Sequence, residues 1–448
     1  MADITNIFKA YDIRGKVGEE LTAEVARLVG SALGSWLPTE GTVAVGRDMR
    51  PDSAELAAAV IEGLRSQGRD VMDIGQVTSD MIYFAVGKYG LAGGAMVTAS
   101  HNPGADNGIK LCREEAKPIG QESGLFEIRD MVLKGDFTPA TTQGTVSEQD
   151  TTEAWIQHVL SFIDASKLKP LRLAVDAGNG MAGKIFPELE PYVPFEVEEM
   201  YFELDGTFPN HIANPLKFET LTDLIAKIKE MSLDGGVAFD GDGDRAFLID
   251  ETGTVLTGGV MSAMLADYFL QQNPGATIVY DARNSKSVPE IVAEKGGTAV
   301  RERVGHAFIK QTMRKTDAPF GGEASGHFYF RDNWYADSGL IAAVIGLYVA
   351  GLSGKKLSEL RQQYTRYAAI PETNFTVEDK AAVIQRVTNA FADGQQDTLD
   401  GLTINFDDGS WFNIRASNTE PLLRLNAEAH DQTTLDALVA KVKTAMGQ

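Results

Sequence analysis

The sequence predicts an α/β protein with three related α/β domains, each built on a mixed sheet, and a C-terminal α+β domain. Three times along the chain, a strand rich in Val and Ile ends in an aspartate and a polar turn, and helical spacing follows. These aspartates are Asp48, Asp176 and Asp281. A second apolar strand ending in a polar loop follows each unit, and this alternation favours sheets with crossover helices.

The individual elements follow from the spacing of apolar residues. Helical periodicity predicts helices over 22–37 and 53–67, and a short apolar run predicts a buried strand over 94–97. The second unit begins with a strand at Leu171 and the third with a strand at Ala276. The apolar stretch 339–352 is too short to cross a bilayer and predicts a buried core helix. The tail differs, with strands near 402–406 and 411–415 and a terminal helix.

Polar stretches at 138–152, 250–259 and 366–373 mark the predicted domain boundaries. We therefore expect domains at 1–145, 150–253, 254–367 and 370–448. Each of these four predicted domains contributes one polar loop.

Composition narrows the range of partners and compartments. A net charge of −22 argues against binding to nucleic acid or to an anionic membrane surface. The single cysteine, Cys112, excludes an internal disulfide and fits a reducing compartment. The first residues contain no apolar segment typical of a secretory signal. We expect a cytoplasmic protein that does not bind membranes.

The loop T-A-S-H-N-P carries Ser100 directly after the predicted strand 94–97. That position puts the hydroxyl at the carboxyl end of a strand, where open α/β sheets bind their ligands. His101 follows, but adjacency alone does not make it the base of a hydrolase, because such partners must meet through their side chains. Taken alone, the motif fits an ordinary Ser/Asn turn equally well.

The loop D-G-D-G-D-R places Asp240, Asp242 and Asp244 at alternate positions separated by glycines. Three carboxylates this close repel one another unless a cation lies between them, and hard oxygen ligands suit Mg²⁺. A calcium-binding EF-hand is the main alternative, since Glu251 occupies its twelfth position. Against it, Arg245 stands where the EF-hand needs glycine, and the next residues predict a strand.

Gly178, Gly180 and Gly183 match the G-x-G-x-x-G fingerprint of dinucleotide-binding proteins. An NAD-dependent enzyme is therefore an alternative from another class. The fingerprint explains none of the other polar loops, and a tight turn between strand and helix accounts for it as well.

Two further loops suit a sugar phosphate. Glu323, Ser325 and His327 lie on a glycine loop that could hydrogen-bond sugar hydroxyls, and His306 either faces a ligand or is a satisfied loop histidine. The loop R-A-S-N-T-E-P begins with a forked cation and continues with hydroxyl and backbone donors, which suits a phosphate. Its candidate ligands are Arg415, Ser417, Asn418 and Thr419.

Taken together and in this order, T-A-S-H-N-P, D-G-D-G-D-R, G-E-A-S-G-H and R-A-S-N-T-E-P resemble the α-D-phosphohexomutase superfamily. The resemblance extends over the whole chain and is strongest to its bacterial phosphomannomutase and phosphoglucomutase branch. It implies four domains around a central cleft, with the fourth closing on substrate.

The resemblance also implies a role for each site residue. Ser100 would carry a phosphoryl group and would hold Mg²⁺ together with Asp240, Asp242 and Asp244. The residues expected around the transferring group are Arg14, Lys110 and Arg245, and the candidate acids and bases are Lys110, His306 and His327. The expected substrate-binding residues are Tyr11, Arg283, Gly305, Glu323, Ser325, Arg415, Ser417, Asn418 and Thr419. Many members have Lys where this chain has Arg283.

The implied reaction interconverts hexose 1- and 6-phosphates, mannose first and glucose also, through phosphoserine and a hexose 1,6-bisphosphate. A phosphoglucosamine mutase shares most of these motifs, although that subgroup usually differs at Ala324. A sugar-phosphate binder without activity would keep Glu323 and Arg415 but would not need Ser100. We expect a monomer or weak homo-oligomer.

Overall fold

A computed structural model describes residues 4–416 and 422–447, which form four sheets, one in each of four domains. The strands of the first domain are β1 Ile13–Lys16, β2 Val43–Arg47, β3 Val71–Gln76, β4 Gly93–Val97, β5 Asp106–Arg113, β6 Lys117–Pro118 and β7 Val146–Glu148. Its helices are α1 Ala23–Trp36, α2 Ser53–Ser66, α3 Ser79–Lys88 and α4 Leu125–Lys134.

The first sheet has the order β1-β5-β4-β2-β3-β7, with β6 paired to β5. β4 lies inside this mixed sheet, antiparallel to β5 and parallel to β2, and all five of its residues are buried. The loop that carries Ser100 therefore leaves the middle of the domain. β7 pairs with β3 and so extends the first sheet to Glu148, beyond the expected domain boundary at residue 145.

The second domain repeats the predicted unit of strand, turn and helix. Its elements are α5 Thr152–Leu160, β8 Leu171–Asp176, α6 Ala182–Leu189, β9 Phe195–Met200, α7 Thr222–Met231, β10 Gly235–Phe239 and β11 Ala246–Asp250. The sheet order is β11-β10-β8-β9, and only the β10–β11 pair is antiparallel. The loop of three aspartates is the turn between these two antiparallel strands.

The third domain has the same plan. Its elements are α8 Gly258–Gln272, β12 Thr277–Asp281, α9 Ser287–Glu294, β13 Thr298–Glu302, α10 His306–Thr316, β14 Phe320–Gly322, β15 Phe328–Phe330, β16 Ala336–Asp337, α11 Gly339–Ser353 and α12 Leu357–Tyr364. The sheet order is β13-β12-β14-β15-β16. The loop with Glu323 joins the antiparallel strands β14 and β15.

The fourth domain is an antiparallel sheet with two helices, as predicted for an α+β domain. Its elements are β17 Ala368–Ala369, β18 Thr373–Thr376, α13 Lys380–Ala390, β19 Gln395–Asp397, β20 Leu402–Asn405, β21 Trp411–Ala416, β22 Leu422–Ala429 and α14 Gln432–Met446. The order is β17-β22-β21-β20-β19, with β18 also on β22. The predicted mixed α/β fold with a distinct C-terminal domain is confirmed.

The domains differ in how they share their cores. One hydrophobic cluster runs through the second and third domains and reaches α3 of the first, whereas the fourth domain has its own. α11 lies inside the shared cluster, as the apolar stretch 339–352 predicted. Within the described residues, no single helix is long and apolar enough to cross a bilayer. Only α11 and α12 taken together reach that length and apolar character, and a bend of 101° separates them.

Candidate functional site

Ser100 lies at the carboxyl end of β4, enclosed between the first and second domains. Its φ of 52° falls in the left-handed region, which residues with a side chain seldom adopt. The Oγ atom lies 2.9 Å from Oδ2 of Asp240 and 3.0 Å from Nδ1 of His101. Ser100 is only 3% exposed, so these contacts hold the hydroxyl in a defined place.

His101 is closer to this chemistry than its sequence position indicated. Its Nδ1 contacts the Ser100 hydroxyl and also accepts a 2.6 Å hydrogen bond from Nη2 of Arg245. Burial, together with the Arg245 cation, lowers the pKa of His101 well below its ordinary value. A neutral imidazole therefore lies against Ser100 and accepts a hydrogen bond from Arg245, a contact that adjacency in the sequence did not reveal.

Arg50 holds the backbone of the Ser100 loop. Its Nη1 donates to the carbonyl oxygens of Pro103 and Asp106 at 2.9 and 2.7 Å. Its Nη2 donates to the carbonyl oxygens of Ser100 and Asn102 at 2.9 and 2.7 Å. The planar guanidinium fork can reach four acceptors at once, which an ammonium group cannot do. No sequence motif pointed to this residue.

The three aspartates of the β10–β11 turn form a buried carboxylate cluster. One oxygen from each of Asp240, Asp242 and Asp244 lies within 4.8 Å of the others. Among the described residues, Oδ1 of Asp242 and Oδ1 of Asp244 are buried and have no hydrogen-bond partner. Buried carboxylate oxygens without a donor carry a large desolvation cost. The donor set therefore fits a metal ion, and the cluster could hold one.

Burial affects these carboxylates unequally. It raises the pKa of Asp240 to about 7, although the Arg245 cation opposes this rise. Burial also acts to raise the pKa of Asp242, but Lys110 and hydrogen bonds from Lys110 and Ser79 bring it below its ordinary value. Asp242 is therefore a carboxylate, ready to bind a cation.

Lys110 lies against the same cluster. Its Nζ is 2.6 Å from Oδ2 of Asp242 and 2.6 Å from Oδ2 of Asp244, and 3.3 Å from Oγ of Ser79. Burial acts to lower the pKa of Lys110, but the two carboxylates raise it well above the ordinary value. Lys110 reaches the cluster because β5 pairs with β4, whose end carries Ser100.

Two arginines complete the cationic surroundings of Ser100. Arg245 follows the aspartates and binds Oδ2 of Asp240 through Nε and Nη2 at 2.9 and 2.8 Å. Arg14, on β1, donates to Asn102 Oδ1 at 2.7 Å and to Asp12 at 2.8 Å. Both predicted cations therefore lie at the Ser100 loop.

His327 reaches the carboxylate cluster from the third domain. Its Nδ1 is 2.8 Å from Oδ2 of Asp337 and 3.9 Å from Oδ1 of Asp244. Burial acts to lower the pKa of His327, but Asp244 and Asp337 raise it above its ordinary value. Asp337 also pairs at 2.8 Å with Lys310, a lysine that is 1% exposed. The sequence did not indicate either supporting residue.

His306 is the first residue of α10 and packs against the first domain. Its ring meets the Tyr11 ring edge to face, with centroids 5.1 Å apart. Gly305 has a φ of 130°, and a Cβ there would lie 2.3 Å from the Tyr11 hydroxyl oxygen. That hydroxyl donates to the carbonyl oxygen of Val304 at 3.1 Å. The predicted residues Tyr11, Gly305 and His306 are therefore brought together.

The β14–β15 loop presents a carboxylate held by two hydroxyls. Glu323 accepts from the Tyr329 hydroxyl at 2.5 Å and from Ser325 at 3.0 Å. Nη2 of Arg283 lies 3.7 Å from Oε2 of Glu323, and Arg283 also binds Asp281. These contacts orient Glu323 and place the predicted sugar-binding residues side by side.

Arg283 also joins the third domain to the fourth. Its Nη1 donates to Oε2 of Glu372 at 3.1 Å. Glu372 accepts in addition from Arg424 and Asn426, both at 3.3 Å. The sequence had assigned Glu372 only to a boundary stretch.

Arg415, at the end of β21, is a half-buried cation. Its Nε is buried without a hydrogen-bond partner among the described residues. Burial lowers the pKa of Arg415, and Arg283 lowers it further. This Nε–H group is therefore a candidate hydrogen-bond donor to an anion. The other predicted phosphate ligands, Ser417, Asn418 and Thr419, lie outside the described residues.

The glycine fingerprint at residues 178–183 forms a tight turn, and the loop of three aspartates packs directly against it. The amide of Met181 donates to the carbonyl oxygen of Gly241 at 2.9 Å. A Cβ on Gly180 would lie 2.7 Å from that same oxygen, and one on Gly183 would lie 2.3 Å from the Phe202 carbonyl oxygen. Close backbone packing explains these glycines, and the space beside them is occupied by protein.

The EF-hand interpretation is wrong. Glu251 accepts from the amide and hydroxyl of Ser358 on α12, so its carboxylate is engaged away from the aspartates. Asp250 is bound by Arg361 from the same helix. The residues after the loop form β11 instead of the exiting helix of an EF-hand.

A serine hydroxyl, a cluster of three carboxylates and several cations, assembled by loops from adjacent α/β domains, define an enzyme of phosphoryl transfer. The chain belongs to the phosphoglucomutase/phosphomannomutase family, isomerases that transfer phosphate within a hexose. It matches alpha/beta/alpha domain I of this family over 5–139, domain II over 153–253, domain III over 257–367 and the C-terminal domain over 372–445.

Curated relatives and a solved structure agree with this family. The chain is 43% identical over 434 residues to the phosphohexose mutases of Xanthomonas campestris, covering 96% of each chain. It is 40% identical over 450 residues to the phosphomannomutase of Escherichia coli K12, covering 98% of each. A crystal structure of a family protein from Burkholderia thailandensis superposes with a TM-score of 0.89 at 33% identity, covering 98% of this chain and 97% of that one.

Proposed function

We propose that this protein is a phosphomannomutase that also acts on glucose phosphates, and that Ser100 is its phosphoryl carrier. The observation that carries the proposal is the contact of the Ser100 hydroxyl with Asp240, within a buried cluster of carboxylates and cations. A phosphoserine here would have metal ligands and guanidinium groups around its oxygens. Phosphoryl transfer depends mainly on such positioning and charge neutralisation.

Asp240, Asp242 and Asp244, together with the phosphate on Ser100, would hold Mg²⁺. The buried Oδ1 atoms of Asp242 and Asp244, which lack hydrogen-bond partners in the part of the chain that the structure describes, support this assignment. The preference of Mg²⁺ for oxygen ligands supports it as well. When bound, Mg²⁺ would neutralise negative charge on the phosphoryl oxygens. Arg14, Lys110 and Arg245 would surround the same group and orient it.

The reaction consists of two transfers. In the first, the bond from Ser100 Oγ to phosphorus breaks while a bond forms from the free hydroxyl oxygen of a hexose phosphate to phosphorus. The hydroxyl gives up its proton to a base, and Ser100 Oγ takes up a proton. The resulting hexose 1,6-bisphosphate turns around, and the reverse exchange returns its other phosphoryl group to Ser100. No water or nucleotide is consumed.

The remaining site residues would bind the sugar and handle protons. The Glu323 carboxylate would accept hydrogen bonds from sugar hydroxyls, and the Ser325 hydroxyl would donate to them or accept from them. The Tyr329 hydroxyl already orients Glu323 for this role. The phosphate that is not reacting would be held by Arg415, Ser417, Asn418 and Thr419. Tyr11, Arg283 and Gly305 would contribute to substrate binding beside them. Lys110, His306 and His327 are the candidate acids and bases.

We further propose a cytoplasmic enzyme that is a monomer or weak homo-oligomer. Cys112 is fully buried, and burial raises the pKa of its thiol to about 12, so it is unreactive. The proposed domains are 150–253, 254–367 and 370–448, and the first, expected at 1–145, is extended to 148 to include β7.

Two measurements on the purified protein test the proposal. Intact mass should show a phosphate adduct on the parent that Ser100→Ala lacks, and Ser100→Ala should lose turnover. A coupled assay with mannose, glucose and glucosamine 1-phosphates should show turnover of the first two. Near-normal activity of Ser100→Ala would refute the phosphoserine mechanism, and a strong preference for glucosamine phosphate would indicate a phosphoglucosamine mutase.

A further inference from the structure

We propose that Ser79 and Ser338 are positioning residues for the metal site, and that they hold the loop of three aspartates between the first residues of two helices. The helices are α3 of the first domain and α11 of the third. Neither serine is a metal ligand or a substrate contact in the mechanism proposed above. The inference rests on the proposed metal role of Asp240, Asp242 and Asp244, and it concerns what keeps these carboxylates in place.

Ser79 holds Asp242 from the side of the first domain. It is the first residue of α3, so its amide has no acceptor inside the helix. This amide donates to the carbonyl oxygen of Asp242 at 2.9 Å. The Ser79 hydroxyl donates to Oδ2 of the same aspartate at 2.5 Å. Ser79 therefore fixes both the backbone and the side chain of one proposed metal ligand.

These contacts leave the two carboxylate oxygens of Asp242 in different situations. Oδ2 accepts from Ser79 and, at 2.6 Å, from Nζ of Lys110. Oδ1 is buried and has no hydrogen-bond partner in the part of the chain that the structure describes. Because the bonds to Oδ2 restrain rotation of the carboxylate, Oδ1 is the oxygen that stays available to a cation. Hydrogen-bond partners of ligating carboxylates typically change metal affinity by about 10- to 100-fold when they are removed.

The start of α11 packs against the same loop from the third domain. A Cβ on Gly339 would lie 2.7 Å from the carbonyl oxygen of Gly243 and 2.8 Å from that of Arg245. From the first domain, Cγ2 of Thr78 would lie 2.7 Å from a Cβ on Gly243. The backbone that follows Asp242 is therefore in close contact with the beginnings of both helices.

A buried hydrogen bond between the two domains joins these helix ends. Oγ of Ser338 donates to Oδ2 of Asp80 at 2.5 Å, and it accepts from the amide of Ile341 at 3.1 Å as the N-cap of α11. The hydroxyl of Thr78 donates to the other carboxylate oxygen of Asp80. Ser338 and Asp80 are both fully buried, so water does not compete for these bonds. The position of α11 is thereby coupled to Ser79, the residue before Asp80.

A loop held in this way should favour a small cation. Mg²⁺ requires near-ideal octahedral geometry, whereas Ca²⁺ is larger and accepts irregular coordination, so rigid ligands favour Mg²⁺. Loss of either serine should therefore weaken binding of a small ion more than binding of Ca²⁺. A variant that is less stable but has an intact metal loop should leave the ratio of the two affinities unchanged.

Equilibrium binding of Mn²⁺ tests this inference without turnover. Mn²⁺ shares the octahedral oxygen coordination of Mg²⁺, and electron paramagnetic resonance follows its free concentration. Preparations are matched for phosphate content by intact mass. We expect the Kd for Mn²⁺ to rise at least about tenfold in Ser79→Ala. It should rise at least about threefold in Ser338→Ala, which acts through Asp80.

Two further measurements separate positioning from other effects of these substitutions. The Kd for Ca²⁺, obtained from displacement of Mn²⁺, should rise by a smaller factor than the Kd for Mn²⁺ in both alanine variants. Ser79→Thr keeps the hydroxyl and should bind Mn²⁺ within about threefold of the parent.

Matched variants in the first domain serve as controls. Ser31→Ala removes a buried hydroxyl that donates to the carbonyl oxygen of Gly63, and Thr22→Ala removes the N-cap of α1. Both should bind Mn²⁺ within about twofold of the parent, because neither residue contacts the metal loop.

The possible outcomes distinguish this inference from the proposed function. An unchanged Kd for Mn²⁺ in Ser79→Ala or Ser338→Ala would overturn the inference, as would an equal rise in the controls. A Kd for Ca²⁺ that rises as much as the Kd for Mn²⁺ would overturn it too. A parent enzyme that binds no Mn²⁺ displaceable by Mg²⁺ would instead refute the proposed metal site.

Discussion

Nη2 of Arg50 donates a 2.9 Å hydrogen bond to the carbonyl oxygen of Ser100, so the backbone of the proposed phosphoryl carrier is held by a side chain fifty residues earlier in the chain. Three more carbonyl oxygens of the same loop bind this guanidinium. Arg50 therefore supports the backbone of a loop in which Ser100 adopts the unusual left-handed conformation.

Arg50→Lys should therefore reduce turnover more than substrate binding. A lysine keeps the charge but cannot bind four carbonyl oxygens, so the Ser100 hydroxyl would shift relative to Asp240. A shift of about 1 Å can cost about 100-fold in rate, and we expect kcat to fall by about that factor with KM within about threefold. Steady-state kinetics with glucose 1-phosphate measure both values.

Arg69 provides a matched control in the same domain. It donates to the carbonyl oxygens of Gly34, Leu37 and Thr39 at 2.7–2.8 Å, in a loop away from Ser100. Arg69→Lys and Arg50→Lys should lower the free energy of unfolding by similar amounts, about 1–3 kcal/mol each. Arg69→Lys should nevertheless leave kcat within about twofold of the parent. Equal losses of kcat in the two variants would show that Arg50 only stabilises the domain.

Asp242→Asn should weaken metal binding. It removes one charge from a cluster of three carboxylates, and we expect the Mg²⁺ concentration for half-maximal activity to rise at least about tenfold. Chelator should abolish activity of the parent, and added Mg²⁺ should restore it. Asp164→Asn, which changes an exposed carboxylate that accepts from Ser166, should behave like the parent. Activity indifferent to chelator would disprove the metal assignment.

Glu323 should make the enzyme discriminate at hydroxyls 3 and 4 of the sugar while leaving hydroxyl 2 largely unread. Mannose and glucose differ only at hydroxyl 2, so their kcat/KM values should lie within about two orders of magnitude, or roughly 3 kcal/mol. Galactose phosphate inverts hydroxyl 4 and should be much poorer. Glu323→Gln should lower kcat/KM for mannose and glucose phosphates by a similar factor. Efficient turnover of galactose phosphate would contradict this role.

The pair of His211 and Asp176 should make stability depend on pH. Nε2 of His211 lies 3.0 Å from Oδ2 of Asp176; burial acts to lower the pKa of His211, but this carboxylate raises it above the ordinary 6.5. Protonated His211 therefore favours the folded state. Its contribution is complete below about pH 6.5 and is lost as the pH rises through the raised value.

Chemical unfolding at about pH 5.5 and pH 9 checks this sign. The parent should lose up to about 1 kcal/mol more than His211→Gln between these values, since half-buried pairs contribute little. His430→Gln, which removes a fourth-domain histidine whose ring lies tilted against that of Tyr367, serves as the matched control. A steeper loss in His211→Gln than in the parent would contradict the assignment.

Short-range patterns predicted the parts of the site that lie on single loops. Ser100 and the three aspartates follow buried strands, and the pairing of those strands brings the two loops together. The motif could not show that the φ of Ser100 brings His101 into contact with it. Arg50 was also hidden, because its partners are backbone carbonyls and leave no trace in side-chain identity.

The contacts between domains were beyond the sequence for a different reason. Glu372 lies in a stretch predicted only as a boundary, yet it binds Arg283 from the third domain. Lys310 looks like an ordinary helix lysine, and only the packing of α10 buries it against Asp337.

The packing of Gly241 separates what can vary in this protein from what cannot. A Cβ at this position would lie 2.4 Å from the carbonyl oxygen of Ser100, so backbone meets backbone between the two loops and leaves no room for a side chain. We expect a substitution at Gly241 to displace the Ser100 loop and to abolish turnover of every hexose phosphate. The contacts around Glu323 and Glu372 are made by side chains and can be exchanged one at a time. Substitutions that change the choice of hexose are therefore expected in the third and fourth domains, where a side chain can be exchanged without moving the backbone around Ser100.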